Sequence, residues 1–296
     1  MKTIKHNVSP FQALNQRVAD FQMLLKVRLT SLVVFSSAMA YLIAVEGSID
    51  WLALAVLCLG GFLVTGASNT LNQVLEKDYD ILMKRTANRP LATGRMTVST
   101  AVLVAGFLSL LGIMMLASFN AWTGLLGMIA LISYAFIYTP MKRISPIAVL
   151  VGAFPGALPT LIGCVAIQGE LTSLGVALFG IQFMWQFPHF WAIAWLGDED
   201  YKNAGFNLLP GGVKDSNVGF QSFIYAMMLI PIGVMPFLLG VTGIVSAIIL
   251  VLLGAIYAYY GWNLCVKCTR EAARKLMFCS FFYLPIALIA LFIDKL

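Results

Sequence analysis

The sequence predicts an all-α integral membrane protein with nine transmembrane helices and a cytoplasmic N-terminus. Three observations carry that expectation. Of 296 residues, 60% are hydrophobic and only 11% charged, against about a quarter charged in soluble chains, and the mean hydropathy is +0.89. The uncharged runs fall at 29–45, 51–75, 96–141, 144–169, 171–197, 216–266 and 276–293. A crossing takes about 20 apolar residues, so the runs at 96–141 and 216–266 hold two each. Nearly all of the 19 Lys and Arg then fall on one side of the chain.

Residues 1–28 form a cytoplasmic segment in which Phe11, Leu14, Val18, Phe21 and Leu25 recur at threes and fours, the pattern of an amphipathic helix. Such a helix lies on the membrane surface or packs on the cytoplasmic loops. The mostly polar character of these residues does not read as a removable signal, and the segment is not the Arg- and Ser-rich leader of an organelle import signal, which favours a bacterial cytoplasmic membrane. Residues 29–296 form a single transmembrane domain. Spans 1 and 2 are 29–45 and 51–75; the run 96–141 breaks at "SFNAW" (118–122) into spans 3 and 4. Span 5, 144–169, is loosened by Pro155 and Pro159, and span 6 is 171–197. Spans 7 and 8 divide at "LLGVTG" (238–243), and span 9 is 276–293.

In that numbering Lys2, Lys5, Arg17, Lys26 and Arg28 precede the first span, thirteen more basic residues fill the loops after spans 2, 4, 6 and 8, and only Lys295 lies opposite. The positive-inside rule puts the N-terminus in the cytoplasm. The net charge of +6 is thus a matter of topology and no sign of nucleic-acid binding, although a basic face also draws anionic lipid head groups or an anionic substrate. The long loops, 76–98, 196–218 and 262–276, are all cytoplasmic, so a site belongs on that side. Five scattered cysteines, with Cys265 and Cys268 the one close pair, make neither a disulfide framework nor a metal site.

Charge gathers in "NQVLEKDYDILMKRTANRPLATGR" (72–95), which holds eight of the 19 basic and 13 acidic side chains. Asn72, Glu76 and Asp80 are spaced i, i+4, i+8, one narrow stripe of a helix where span 2 leaves the membrane. An amide and two carboxylates pointing the same way offer hard oxygen ligands, the kind that bind Mg²⁺ together with substrate phosphates. Arg85 and Arg89 follow at i, i+4, and guanidinium forks suit phosphate oxygens. The stretch also reads as a solvated loop of intrahelical ion pairs, Asp80 with Lys84 among them. Against that stands Asn72, an amide inside the apolar end of a span and costly there without a partner.

"DEDYKNAGFNLLP" (198–210) places Asp198, Glu199 and Asp200 on the basic face, where three acids ask for a cation. Just upstream, "QFMWQFPHFWAIAW" (182–195) gathers Trp185, Phe187, Phe190, Trp191 and Trp195 around His189, the one histidine in any span. An intramembrane ionisable group is a functional candidate; a structural hydrogen bond and iron ligation are both open to it. Aromatics near a boundary, Trp195 above all, read as an interfacial belt. "YTPMKRISP" (138–146) adds Lys142 and Arg143, as topogenic anchors or anion holders. No carboxylate or basic residue lies in mid-span, so the groups a transporter uses are missing.

The series Asn72-xxx-Glu76-xxx-Asp80-xx-Met83-x-Arg85-Thr86-xx-Arg89-Pro90, then "YTPMKR", "GALP" and "PHFWAIAW…DYKNAGF..LP", resembles the haem O synthase branch of the UbiA superfamily of intramembrane prenyltransferases, over roughly residues 20 to 293. The resemblance implies a UbiA-type fold of nine helices around a central cavity that opens toward the cytoplasm. It implies transfer of farnesyl from farnesyl diphosphate to the 2-vinyl group of haem b with addition of water, haem b being a substrate. It also implies a first Mg²⁺-diphosphate motif at Asn72, Glu76 and Asp80, and a second at Asp200 and Tyr201 with Asp198 beside it. Arg85, Arg89, Lys142, Arg143 and Lys202 would hold the diphosphate, with Trp185 and His189 among the substrate-binding residues. Membrane lipids surround such an enzyme, and haem A synthase or a terminal oxidase would be its assembly partners. The sequence departs from the family's pattern at Asp198, where many members are basic, and at Pro159-Thr160, where many have Pro-Pro.

Overall fold

The computed structural model describes residues 10–296, so Lys2 and Lys5 lie outside the described residues. It is helical throughout, with no strand among those residues. The helices are α1 (Pro10–Leu25), α2 (Val27–Ala44), α3 (Trp51–Asp80), α4 (Val98–Ala117), α5 (Ala121–Met141), α6 (Ala148–Gln168) and α7 (Ser173–Leu196). A short α8 (Asp198–Asn203) leads through a loop to α9 (Ser216–Leu238), α10 (Ile244–Lys267) and α11 (Arg270–Ile293).

Eight of these, α2 to α6 and α9 to α11, are long and apolar enough to cross a membrane. The residues of the remaining predicted span form the 24-residue α7, which is not among those eight. Its Gln182, Gln186, His189, Pro188 and tryptophans lower its hydropathy below that of the others, because much of its polarity faces inward. Both predicted breaks are real: α4 ends at Ala117 and α5 begins at Ala121, capped by Asn120, whose Oδ1 accepts from Thr123 N at 2.9 Å. Side-chain oxygens of Asp50, Thr97, Thr172, Asp215 and Thr269 cap α3, α4, α7, α9 and α11, satisfying donors a helix start leaves open.

The bundle has two apolar cores. One, around Leu57, Val64, Leu116 and Leu158, joins α2 to α6; the other, around Ile181, Phe187, Tyr257 and Leu288, joins α7, α9, α10 and α11 with part of α2. At the seam α2 and α6 approach closely, and a Cβ on Gly163 would sit 2.9 Å from both Ala40 Cβ and Tyr41 N. Trp191 and Trp195 are buried in the second core, Trp195 at 3% exposure, so the expected interfacial belt is not formed by these residues. Packing against Tyr225 and Phe187 claims Trp191, and Trp195 is buried in the same core.

Helix α1 docks on the end of α3 and the loop that follows it. Asp20 accepts from Arg95 Nε and Nη2 at 3.0 and 2.8 Å, Gln73 Nε2 donates to the carbonyls of Met23 and Leu24, and Leu24 is buried beside Leu91 and Ala101. Phe11, Leu14, Val18 and Phe21 stay exposed, so the helix packs by one face and keeps an apolar row free.

Gly163→Ala should lower stability by about 1–3 kcal/mol through overpacking against the α2 backbone. Gly106→Ala, with open space around it, should be neutral or slightly stabilising. Thermal unfolding of the two variants in the same detergent checks the contrast, and equal melting temperatures would contradict the packing account.

Candidate active site

The stripe Asn72, Glu76 and Asp80 occupies the last turns of α3, and all three are buried, Asp80 at 0% exposure. Burying a carboxylate is costly unless a cation and hydrogen bonds accompany it. Each member is clasped from a different element. Lys26 Nζ, between α1 and α2, donates to Asn72 Oδ1 at 2.9 Å, while Asn72 Nδ2 donates to Thr139 Oγ1 at 3.1 Å. Lys142 Nζ, just past α5, donates to Glu76 Oε1 at 2.7 Å. Arg89 Nη1, in the loop after α3, reaches both oxygens of Asp80 at 2.7 and 2.8 Å. Asp80 therefore pairs with Arg89 and not with Lys84, because the chain turns away from the helix after Ile81 and carries Arg89 back over it.

Two local features aim these donors. Lys26 has φ 47, a left-handed residue that separates α1 from α2 and turns its side chain toward α3. The segment Ser133–Tyr138 is π-helical, an irregularity frequent at functional sites; it sets Tyr134, Tyr138 and Thr139 against α3. Burial first, then the charges of Arg89 and Lys142, hold the Lys26 ammonium well below the usual lysine pKa. A positive cluster that penalises its own charge in this way favours an incoming anion.

The two charged segments meet. Phe206 lies 6.3 Å from the rings of Tyr79 and Tyr201, and with Met83 and Ala204 it forms a small buried core. Lys142 Nζ stands 5.7 Å from the Phe206 ring centroid and 4.7 Å from that of Tyr138, and Asn207 N donates to the Lys142 carbonyl at 3.0 Å. Arg85 Nη2 donates to Tyr201 Oη at 3.4 Å. Arg143 covers the Tyr79 ring at 4.1 Å and its Nη1 donates to the Tyr79 hydroxyl.

The acidic triplet is divided. Asp198 pairs with Lys202 at 3.0 Å and Lys214 at 3.3 Å; Asp198, Lys202 and Tyr201 line a hollow of about 280 Å³ under the 198–212 loop. The Asp200 carboxylate has no ion pair or side-chain hydrogen bond among the described residues. No three His, Cys, Asp or Glu among those residues come close enough to hold one metal ion, so Asn72, Glu76, Asp80, Asp198 and Asp200 do not form one coordination shell. The donor set suits a cation that takes one or two carboxylates and completes its shell with substrate phosphates and water, as Mg²⁺ does.

Beneath the rim is a cavity of about 420 Å³ lined by α2, α3, α5, α6, α7 and α11. Its wall is mostly apolar, and Tyr138, over which Lys142 stands, lines it too. Trp185 and His189 form part of the wall and stack at 4.7 Å. Gln182 and Gln186 donate to the Gly156 and Ala153 carbonyls of α6 at 2.7 and 3.0 Å, holding the Pro-kinked part of that helix, as neighbouring polar groups do in membranes.

Sequence reading missed Lys26, Thr139, Tyr138, Tyr79 and Asn69. Asn69 was within reach: it extends the stripe one turn inward at i−3 from Asn72, bonding Thr30 at 3.1 Å. Lys26 carried no signal, being 46 residues from the amide it meets.

The sequence profile described as the UbiA prenyltransferase family matches residues 33–284. Similar curated proteins include the protoheme IX farnesyltransferase of Cytophaga hutchinsonii, 47% identical over 92% of this chain and 96% of its own, and that of Christiangramia forsetii, 43% identical over 94% of each. Among solved structures, that of a digeranylgeranylglyceryl phosphate synthase superposes with a TM-score of 0.80 at 19% identity, covering 94% of this chain and 98% of that one. A UbiA homologue from Archaeoglobus fulgidus, bound to GPP and Mg²⁺, has a TM-score of 0.68 at 15% identity over 92% and 99%.

Arg89→Leu should destabilise the protein by about 3–5 kcal/mol, because it leaves a fully buried carboxylate unpaired. The double variant Asp80→Asn, Arg89→Leu should recover most of that loss. A double-mutant cycle by chemical unfolding measures the coupling, and additive effects would mean that the pair is not what holds Asp80 in place.

Proposed function

The chain belongs to the UbiA prenyltransferase family, and we propose that it transfers the farnesyl group of farnesyl diphosphate to the 2-vinyl group of haem b, giving haem O and diphosphate. The observation that carries this reading is the stacking of a cation-clasped Asn72, Glu76, Asp80 stripe directly above an apolar cavity. Relatives named protoheme IX farnesyltransferase, similar over nearly the whole chain, support the choice of donor and acceptor.

Breaking the allylic carbon–oxygen bond builds negative charge on the leaving diphosphate, and fixed donors aimed at that charge lower the barrier. Arg85, Arg89, Lys142, Arg143 and Lys202 supply such donors, with Lys26 alongside them. Asn72, Glu76, Asp80 and Asp200 would hold Mg²⁺ with the diphosphate, Tyr201 lying next to Asp200, while Asp198 would keep Lys214 as its partner. Bound there, Mg²⁺ supplies Lewis acidity and a template. The allylic cation left behind is short-lived in water. The apolar cavity excludes water, and the Tyr134 and Tyr138 faces stabilise positive charge. The cation adds to the terminal vinyl carbon of the macrocycle, water adds to the carbon next to the ring, and a proton is lost. Trp185 and His189 belong to the wall that receives the macrocycle.

In this reading α7 crosses the membrane as span 6 and completes a set of nine, the charged rim faces the cytoplasm of a bacterial cell across its inner membrane, and residues 29–296 are one prenyltransferase domain. The free apolar row of α1 rests on the lipid surface. The product serves haem A synthase or terminal oxidase assembly.

Purified protein given farnesyl diphosphate, Mg²⁺ and haem b should yield a product heavier by one hydrated farnesyl unit, and chelation should stop its formation. If a hydroxybenzoate or naphthoate is prenylated instead and haem b is not, the acceptor is wrong. Glu76→Gln and Asp200→Asn should each lower kcat/KM by about 10²–10³-fold, the range for loss of a transition-state charge stabiliser, with unfolding transitions retained. Wild-type rates in both would remove Glu76 of the stripe and Asp200 from the chemistry.

A further inference from the structure

We infer that His189 supplies an axial ligand to the iron of the haem acceptor through Nε2, and that Ser280 sets its tautomer and orientation. The inference rests on the acceptor assigned above. His189 is the one histidine among the described residues, and it lines the cavity. Its ring is held on several sides: stacked on Trp185 at 4.7 Å, with Phe190 at 5.5 Å and Phe281 at 5.4 Å. A ring so confined presents one nitrogen in a fixed direction.

The hydrogen bonds decide which nitrogen. His189 Nδ1 lies 2.8 Å from Ser280 Oγ, and Ser280 Oγ donates to the Met277 carbonyl at 2.5 Å. A hydroxyl has one proton; with that proton on the carbonyl, the oxygen accepts Nδ1–H. The neutral ring then carries a bare lone pair on Nε2. That atom has no hydrogen bond among the described residues and is not one of the sealed, unpartnered polar atoms of the interior, so it is open to the cavity. A neutral imidazole whose far N–H is held by an outer partner is the usual form of a metal-ligating histidine. A histidine serving only to join α7 to α11 has no use for a free second nitrogen at a cavity wall.

Ser280 is itself well held. Its carbonyl accepts from Trp185 Nε1 at 2.8 Å, and the Trp185 carbonyl accepts from the Tyr257 hydroxyl at 3.1 Å. The outer partner, the stacking ring and the ligand thus form one unit across α7, α10 and α11. Ligation through His189 fixes how deep the macrocycle sits, and so how far its vinyl groups stand from the charged rim.

Resonance Raman spectroscopy of the full chain loaded with ferrous haem b tests this. Wild type should show an iron–histidine stretching band that shifts when the protein contains isotopically labelled histidine. His189→Ala should lose the band and regain a nitrogen-ligated spectrum with added imidazole, and His6→Ala should keep it. Ser280→Ala should retain ligation but weaken haem affinity by roughly tenfold, the low end of what outer partners contribute. If wild type binds and farnesylates haem b without the band, or His189→Ala keeps it, the ligation is wrong and the acceptor stands. If wild type binds no haem b and prenylates another acceptor, both fall. Should His189→Ala fail to fold, the isotope shift in wild type decides.

Discussion

A carboxylate withdrawn from water at the end of an apolar helix needs a cation within hydrogen-bonding reach, and α3 carries two of them with an amide one turn further in. Glu76 takes Lys142, Asp80 takes Arg89 and Asn72 takes Lys26. Those partners come from the end of α5, the loop after α3 and the junction of α1 with α2. Three separate parts of the chain are thereby pinned to one helix terminus. Much of this end of the bundle follows from it. The 81–97 loop folds back over α3 because Arg89 must reach Asp80, and α5 gains a π-helical turn where it meets the stripe.

Below that rim the constraint is reversed, because an allylic cation survives only where water does not. The cavity wall is correspondingly apolar; of the amides on it, Gln182 and Gln186 are occupied with backbone carbonyls of α6 and Asn69 with Thr30. Tyr138 belongs to both regions, lining the cavity while carrying Lys142 over its ring. In the proposed reaction the distance between leaving group and cation would be set within one short stretch, Tyr138 to Arg143, which reaches the aromatic wall at one end and the proposed diphosphate donors at the other.

Much of this was legible in the sequence because it rests on local periodicity. The uncharged runs marked the helices, Asn120 marked the break between α4 and α5, and the i, i+4, i+8 spacing put three oxygens on one face. What stayed hidden depends on long-range partners. Asp80 has a basic residue at Lys84 in helical register, yet the loop geometry hands it Arg89. Trp195 has the character of a boundary residue, but the packing of α7 buries it in the second core. Lys26 looked like one more topogenic charge, since only the folded chain brings it to Asn72. The union of the two charged segments turns on Phe206, an apolar residue that no charge pattern would single out.

The pairing of every buried anion also bears on how the proposed site fills. Stripping Lys142 or Arg89 from its carboxylate without replacement would leave two uncompensated charges in a low-dielectric place, at a cost of several kcal/mol. A diphosphate arriving with its divalent cation would avoid that cost, since Lys142 and Arg89 would turn to phosphate oxygens while Glu76 and Asp80 would hold the metal. Charge is exchanged at each position and never left bare. On this argument neither component binds well alone: free diphosphate meets carboxylates that repel it, and free metal meets cations already in place. Binding of the two is then strongly coupled, and the site stays closed by its own salt bridges until both are present.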